Sequence, residues 1–375
     1  MQRKKIDVSF KILVINLLHL GDLLLATPVV RALRTHYPQA HIALLADAKL
    51  QDLVKYNKNI DELLLIDKKG YHNKLSNYVQ FISEIRSKKF DIVINLHENE
   101  RASCIAAFSG GKKIVGYSTC GLHLFFDKVI ENRKGIKHQV HSHFDVLRET
   151  LDITKINDQG LEMWLDEKAE ESAGEIWNEA FPIHTHPEKE RGAAAECIKV
   201  VGLNIGASWS TKCWRKEYFT ELADRLLDMG YGVAYYGGPM DIDIVNETIN
   251  LMRNKEHTLL KNFAGKMSLL ELAALLKKAS VLVTNDTGPM HVAVAMKVPV
   301  VAIFGPSPVV GFYPYNNTSV VLKSSVECHP CGKHSCPKKH ECMWQIDVDT
   351  VMKYTLEQLE HPQRYTAGSY IVPGQ

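Results

Sequence analysis

The segment 280–306, SVLVTNDTGPMHVAVAMKVPVVAIFGP, predicts a strand, a turn, a helix and a second strand in succession. Residues 281–284 form a short β-branched and apolar run, which is typical of a buried parallel strand. The turn NDTGP also begins a helix, because Asn, Asp and Thr cap helices and proline is tolerated in the first turn. The helix continues to Met296, and residues 298–304 form the next strand. Such units indicate an α/β protein with a parallel sheet.

The turn of this segment is also suited to bind an anion. A strand that leads into a helix through a glycine-containing turn points the free N–H groups of the helix outward, and the helix dipole adds partial positive charge. Phosphate is the anion most often bound in this way, at the carboxyl ends of strands, and His291 can add a donor. An ordinary strand–helix–strand unit with a well-capped helix explains the same residues, so the turn alone leaves both interpretations open.

Length and composition limit the class of protein. A chain of 375 residues favours two domains, and 45% hydrophobic with 23% charged residues allows substantial cores. The net charge of +2 argues against extended nucleic-acid binding, which needs a basic face. Residues 1–30 imitate a signal peptide, but polar residues such as Asn16 and Asp22 interrupt the apolar run, and no cleavage site follows. No stretch contains the ~18 apolar residues of a membrane span, so we expect a cytoplasmic protein.

The first half of the chain repeats the strand–turn–helix pattern. Strands are predicted, in order, over 10–17, 41–46, 62–66, 90–96 and, as the last one, 112–117. Asp22 follows the first strand, where a carboxylate either caps a helix or takes a proton from an attacking hydroxyl as a general base. The polar cluster 97–101 follows the fourth strand and either meets substrate groups or forms a solvated loop. Lys112 and Lys113 form a small basic patch.

The second half carries further polar turns at the ends of predicted strands. Strands are predicted over 198–205 and 232–236. Lys212 follows the first of these and supplies a point charge suited to phosphate. Asp241 follows the second, where an acid either binds a ribose hydroxyl pair or stabilises the first turn of a helix.

Because both halves alternate strands and helices, we expect an α/β fold with two parallel-sheet domains and a cleft between them. The polar, proline-containing segment 184–191 is the best candidate for a linker, so the predicted domains are 1–190 and 191–375. A closing helix is predicted at about 346–360.

Two clusters contain residue types that bind metals. The first contains His138, His141, His143 and Asp145. Surface or substrate-contacting histidines are favoured there over a metal site, because no cysteine or second acid is near. The second is a C-x2-C-x4-C-x5-C run formed by Cys328, Cys331, Cys336 and Cys342. Its spacing is compatible with a structural zinc site, and free thiols in a reducing cytosol are an equal alternative.

The chain resembles the bacterial heptosyltransferases, glycosyltransferase family 9, which build the inner core of lipopolysaccharide. The matching pieces are ILVINLLHLGDLLLATPVVRAL, GLNIGASWSTKCW, the block 263–307 and the cysteine-bearing tail. The resemblance implies the GT-B architecture, in which two Rossmann-like domains face each other across a cleft and the closing helix packs back on the first domain. It also implies an inverting transfer of heptose from ADP-heptose to an inner-core lipopolysaccharide acceptor, with the acceptor on the N-terminal domain and the donor on the C-terminal domain.

The resemblance also assigns residues. It implies that Asp22 is the catalytic base and that the donor-binding residues are Lys212, Asp241, Met267, Asp286, Thr287, Gly288 and His291. The residues expected to bind the acceptor lie in the first half of the chain and are Gly21, His97, Arg101 and Lys112. Lys212 and the helix N-terminus can stabilise the leaving diphosphate in place of a divalent metal, so we expect no required cofactor.

The expected partners are a nucleotide sugar and a lipid-linked saccharide, with peripheral contact at the inner face of the inner membrane and no nucleic acid. Two other functions fit the same features. One is a GT-B glycosyltransferase that uses another nucleotide sugar for capsule or glycan assembly. The other is a sugar-nucleotide epimerase, which would turn over its substrate without an acceptor.

Overall fold

The computed structural model describes residues 10–119, 121–133, 135–182, 198–360 and 364–372. The chain divides into two compact units, Met1–Trp164 and Leu165–Gln375. The predicted linker and the predicted boundary at residue 190 lie outside the described residues.

The first unit contains, in chain order, β1 (Lys11–Ile15), α1 (Leu20–Leu25), α2 (Thr27–His36), β2 (His41–Asp47), β3 (Glu62–Ile66), α3 (Leu75–Ser87), β4 (Ile92–Asn95), α4 (Glu100–Phe108), β5 (Lys113–Gly116), β6 (Lys128–Val129) and α5 (Gln139–Leu151). Its described strands form one parallel sheet in the order β3-β2-β1-β4-β5-β6. The apolar side chains of α3 and α4 pack on one face of this sheet, with Phe81 and Ile105 among the buried core residues.

The second unit contains, in chain order, α6 (Glu167–Ala180), β7 (Val200–Asn204), α7 (Lys216–Asp228), β8 (Gly232–Tyr236), α8 (Ile242–Leu251), β9 (Leu260–Asn262), α9 (Leu269–Leu276), β10 (Val281–Asn285), α10 (Gly288–Ala295), β11 (Val300–Phe304), α11 (Val309–Phe312), β12 (Val320–Lys323), α12 (Glu341–Trp344) and α13 (Val348–Glu360). Its described strands form a parallel sheet in the order β12-β11-β10-β7-β8-β9. The predicted α/β class with two Rossmann-like parallel sheets is confirmed, since both sheets share this strand order.

The sequence patterns explain which strands are central. Every residue of β7, β8, β10 and β11 is buried, as expected for strands of a parallel sheet that helices cover on both faces. The closing helix α13 contributes Val351 and Met352 to the core of the second unit and packs beside α7. Its packing on the first unit stays a prediction.

Several elements differ from the predictions. Strand β5 is followed by β6, so 112–117 is not the last strand of the first unit. Two helices, α1 and α2, follow the first strand, and they meet at Ala26, ahead of Pro28. In the second unit, β9 and β12 complete the two edges of the sheet. None of the helices in the described ranges combines the length and the apolar character of a membrane span.

A capping box is present at the start of α9. The Ser268 Oγ accepts a hydrogen bond from the Glu271 N–H (3.2 Å), and the Glu271 Oε2 accepts one from the Ser268 N–H (2.9 Å). Each bond satisfies a backbone donor that has no partner within the helix.

We expect Ser268→Ala to lower the free energy of unfolding of the second unit by about 1 kcal/mol, because it removes this cap. Urea unfolding followed by circular dichroism measures the change. Ser83→Ala, at an exposed position within α3, is the control and should match the wild type. Equal stability of the Ser268 variant and the wild type would contradict the role of the cap.

Candidate functional site

The carboxyl edge of the second sheet collects the predicted donor-binding residues. The strand order reverses between β7 and β10, and ligands of open α/β sheets bind at such a reversal, beyond the carboxyl ends of the strands. Lys212 follows β7, Asp241 follows β8, Met267 follows β9, and Asp286 to His291 follow β10. The described structure therefore brings all of the predicted donor residues to one edge.

Asparagine and threonine side chains connect the two strands at the reversal. The Asn204 Nδ2 donates to the hydroxyls of Thr284 and Thr287, both at 3.1 Å. The Asn285 Nδ2 donates to the carbonyl of Ile205 (2.9 Å), and its Oδ1 accepts from the Trp214 N–H (3.0 Å). These bonds fix the loop after β7 against the loop after β10. The sequence predictions missed Asn204 and Asn285, although an Asn as the last residue of a buried strand is a signal that could have found them.

Lys212 and Asp286 form an ion pair at this edge. The Lys212 Nζ lies 2.7 Å from the Asp286 Oδ2, and Asp286 is only 7% exposed. The same ammonium lies 4.6 Å from the centre of the Trp209 ring, which adds a cation–π contact. An ammonium has three N–H donors, so a lysine held in this way can still donate to a phosphate oxygen.

The loop that carries Lys212 is braced by the cysteine-bearing segment. Trp209 stacks on His334 with ring centres 3.7 Å apart, and the Thr211 hydroxyl donates to the Lys333 carbonyl (2.8 Å). The position of Lys212 therefore depends on residues more than a hundred positions further along the chain. This contact was not predicted, because periodicity carries no information about such distant partners.

The N-terminus of α10 lies beside the ion pair. Thr287 is its N-cap residue, but the Thr287 side chain makes no capping hydrogen bond and instead contacts Asn204 and Thr284. The first-turn N–H groups are therefore left uncapped by this side chain, as an anion site at a helix N-terminus requires.

His291 lies in the first turn of α10 and is 4% exposed. Its Nδ1 and the Oδ1 of Asn204 have no hydrogen-bond partner among the described residues. Burial lowers the pKa of His291 to about 4, while the charge of Asp286 raises it and the charge of Lys212 lowers it. The ring is therefore neutral near pH 7, and it can accept a hydrogen bond at one nitrogen and donate at the other.

Asp241 lies between the ends of β7 and β8. Its Oδ2 accepts from the Gly238 N–H (2.8 Å), and burial raises its pKa. The carboxylate lies so close to Gly206 that a Cβ added there would collide with it, so any larger residue at this position would displace Asp241. The half-buried Met267 lies on the loop after β9. A hydrogen bond from the Gly265 N–H to the Gly237 carbonyl (3.0 Å) joins this loop to the loop after β8. The ribose role of Asp241 and the donor-binding role of Met267 stay predictions.

In the first unit the strand order reverses between β1 and β4. Gly21 and Asp22 lie in the first turn of α1, directly after β1, and His97 follows β4. Arg101 lies in the first turn of α4, where its Nη1 donates to the Lys68 carbonyl (2.9 Å). These four predicted residues follow strands that meet at the reversal.

The structure does not bring Lys112 to this group. Lys112 precedes β5, at the amino end of the strand, and its Nζ pairs with the Asp91 Oδ1 (2.7 Å), which precedes β4. In a parallel sheet the amino and carboxyl ends of the strands lie at opposite edges. Lys112 is therefore placed at the other edge from Asp22 and His97.

The histidine cluster of the first unit is mostly buried. His143 is fully buried within α5, and its Nδ1 lies 3.2 Å from the Tyr117 hydroxyl. Burial lowers the pKa of His143 to about 3, so the ring stays neutral.

The four cysteines of the second cluster lie close together. The pKa of Cys342 is raised to about 11, first by burial and then by the charges of Cys328, Cys331 and Cys336. Within the described ranges, however, no group of three or more His, Cys, Asp or Glu residues is arranged to hold a metal ion.

Comparison with known proteins decides the family. Residues 78–341, more than half of the chain, match the family described as Glycosyltransferase family 9 (heptosyltransferase). The chain belongs to glycosyltransferase family 9. It is therefore a glycosyltransferase, and the resemblance stated from its motifs is confirmed.

Relatives of this family 9 protein support the same conclusion. Lipopolysaccharide heptosyltransferase 3 of Escherichia coli K12 is 26% identical over 308 residues, which cover 80% of this chain and 84% of the relative. A crystal structure of a family 9 glycosyltransferase from Veillonella parvula is 33% identical, with a TM-score of 0.81, and covers 93% of this chain and 97% of that one. E. coli heptosyltransferase WaaC, solved with ADP-2-deoxy-2-fluoro heptose, has a TM-score of 0.67 at 16% identity, covers 93% of this chain and 99% of its own, and shows the shared fold.

The buried His291 generates a prediction about pH. An unfolded histidine has a pKa of about 6.5. The folded pKa is lower, so unfolding takes up a proton between the two values. The contribution of His291 to the free energy of unfolding is therefore complete above about pH 6.5 and is lost as the pH falls toward about 4.

We expect His291→Gln, which cannot take up this proton, to show a smaller loss of unfolding free energy than the wild type between about pH 7 and about pH 5. Urea titrations at both pH values measure the loss. His143 is present in both proteins, and burial lowers its pKa as well. Both proteins therefore lose some free energy of unfolding as the pH falls. An identical pH dependence in the two proteins would contradict the buried neutral ring.

Proposed function

We propose that this family 9 enzyme transfers heptose from ADP-heptose to the inner core of lipopolysaccharide on the cytoplasmic side of the inner membrane. The proposal is supported by relatives named lipopolysaccharide heptosyltransferase and by a fold shared with a heptosyltransferase solved with an ADP-heptose analogue. The acceptor is then a lipid-linked saccharide, and the nucleophile is one of its hydroxyl groups.

The Lys212–Asp286 pair beside the uncapped start of α10 is the observation on which the proposal mainly rests. Lys212 is held by Asp286 and Trp209, so its ammonium has a fixed place before any ligand arrives. Preorganised donors of this kind stabilise charge that develops in a transition state, because they need no reorganisation during the reaction. The α10 N–H groups and the neutral His291 provide further hydrogen bonds for a diphosphate.

In the proposed reaction the bond between the anomeric carbon of the heptose and the diphosphate oxygen breaks, and ADP leaves with the electron pair. An acceptor hydroxyl forms the new bond on the opposite face of the sugar, which inverts the configuration. Asp22 takes the proton of that hydroxyl as a general base. Lys212 and the α10 N-terminus stabilise the negative charge of ADP, and we propose that they do so without a metal ion.

We expect Lys212→Met to lower the rate of transfer from ADP-heptose about a hundredfold or more, because a charge contact with the leaving group is lost. Transfer is measured with heptose-deficient lipopolysaccharide in a buffer that contains EDTA, and ADP binding is measured by thermal shift. Lys216→Met, which removes a lysine from the exposed pair with Glu247, is the matched control and should keep full activity.

Lys212→Met also leaves Asp286 without its ion-pair partner, which can destabilise the fold. The double variant Lys212→Met with Asp286→Asn removes both charges, so it should regain stability without regaining transfer. Wild-type transfer in the folded double variant would contradict the proposed donor site. Stabilisation by other nucleotides but not by ADP would contradict the proposed donor.

We expect Asp22→Asn to lower transfer about a hundredfold or more while the thermal stabilisation by ADP is unchanged, since the amide keeps the shape of the carboxylate but cannot accept a proton. Asp52→Asn, at a half-buried position in the same unit, is the control and should remain active. Activity of Asp22→Asn comparable with that of the wild type would exclude Asp22 as the base.

A further inference from the structure

Three buried polar side chains at the carboxyl edge of the second sheet each keep an atom that has no hydrogen-bond partner among the described residues. These atoms are the Oδ1 of Asn204, the Nδ1 of His291 and the Oγ of Ser307. Asn204 is the last residue of β7, His291 lies in α10, which follows β10, and Ser307 follows β11. The three strands are neighbours in the sheet. Folded proteins keep few such atoms because each destabilises the free chain, so three along one edge indicate a ligand.

The loop after β11 lies beside the loop that carries Lys212, because two consecutive residues bind both loops. The Gly332 N–H donates to the Pro306 carbonyl (2.9 Å), and the carbonyl of the next residue, Lys333, accepts from the Thr211 hydroxyl (2.8 Å). Consecutive Cα atoms are only about 3.8 Å apart. The serine that directly follows Pro306 therefore lies next to the proposed donor site.

The order of the strands gives this serine a place relative to the parts of the donor. Asp241, the candidate for the ribose, follows β8, and the Lys212–Asp286 pair, proposed for the diphosphate, follows β7 and β10. A nucleotide sugar joins its parts in the order base, ribose, diphosphate and sugar, and neighbouring strands are about 4.8 Å apart. Continuing this order past β10 brings the sugar to the end of β11, where Ser307 lies.

The chemistry of the atoms without partners distinguishes a sugar from a phosphate. An amide oxygen only accepts hydrogen bonds, and an ionised diphosphate offers only acceptor oxygens, so the Asn204 Oδ1 cannot bind a phosphate. A sugar hydroxyl both donates and accepts. The Asn204 Nδ2 donates to the hydroxyl of Thr287, the N-cap residue of α10 (3.1 Å), so this acceptor lies beside the proposed position of the diphosphate. The edge therefore carries groups suited to hydroxyls next to the donors for a diphosphate.

We propose that the Ser307 hydroxyl binds a hydroxyl group of the transferred sugar, with the Asn204 Oδ1 as a second contact to the same sugar. Ser307 is then a donor-binding residue that contacts the sugar and not the ADP part. The inference rests on the proposed function, because it takes the position of the diphosphate at Lys212 from there. It adds the part of the site that distinguishes the nucleotide sugar from its nucleotide product.

The test is isothermal titration calorimetry of the full chain with ADP and with ADP-heptose, in the absence of an acceptor. We expect Ser307→Ala to raise the dissociation constant for ADP-heptose about threefold to tenfold, because one hydrogen bond to the sugar is lost. The dissociation constant for ADP, which has no such sugar, should be unchanged. The melting temperature of the free variant should equal or exceed that of the wild type, since the Ser307 Oγ has no partner to lose in the described part of the chain.

The matched control is Ser324→Ala. Ser324 follows β12, one strand further from the reversal, and its Oγ is also buried and without a partner in the described ranges. Ser324 is 3% exposed and Ser307 is 4% exposed, so the two substitutions remove the same group from equally buried positions. We expect the control to bind ADP and ADP-heptose like the wild type.

A second variant, Ser307→Cys, keeps a side chain of similar shape but offers only a weak donor. Under reducing conditions it should show the same difference between the two ligands as Ser307→Ala. Agreement of the two variants separates the loss of the hydrogen bond from a change in packing.

Three results would overturn the inference. An equal loss of ADP and ADP-heptose binding in Ser307→Ala would assign the hydroxyl to the diphosphate. Unchanged binding of both ligands by the folded variant would mean that the hydroxyl contacts neither. An equal loss of ADP-heptose binding in Ser324→Ala would mean that the effect does not report a contact at the end of β11.

Failure of the proposed function gives a different result. A wild-type chain that binds neither ADP nor ADP-heptose would contradict the proposed donor, and the inference would fall with it. A wild-type chain that binds both supports the proposed donor, and the Ser307 variants alone then decide the inference.

Discussion

The side chains of Asn204 and Asn285 hold together the two strands at which the second sheet reverses its order. Asn204 binds Thr284 in β10 and Thr287 in the loop after it, and Asn285 binds the backbone of the loop after β7. Parallel strands deliver their loops to one edge, but they do not by themselves fix one loop against another. The two amides supply that fixation, so the positions of Lys212 and the α10 N-terminus follow from them.

The charged and titratable groups at this edge give a site that is nearly neutral. Lys212 and Asp286 neutralise each other, and burial keeps His291 neutral. A nearly neutral site with rigid donors can receive a dianionic group without bringing a cluster of repelling cations close together before the ligand binds. In the proposed reaction, the contribution of such a site comes from the placement of hydrogen-bond donors more than from net charge, as electrostatic preorganisation requires.

Much of the fold could be predicted because its central strands are continuous apolar runs followed by polar turns. The edge strands β6, β9 and β12 were missed, since β6 and β9 are short and partly exposed and their existence depends on a neighbouring strand. The predicted donor-binding residues lie at one edge of the sheet, as expected, because each follows a strand. Lys112 was misplaced relative to them because it precedes one. The pairing of Lys212 with Asp286 and of Trp209 with His334 depends on tertiary packing that no local pattern encodes.

The bracing of the Lys212 loop by the cysteine-bearing segment has a consequence for the limits of the second unit. Trp209 and Thr211 are held by His334 and Lys333, which follow the last strand of the sheet. A chain shortened after β12 would retain all six described strands and still release the loop that carries Lys212. An isolated second unit that keeps the proposed donor site intact must therefore include the segment beyond its sheet.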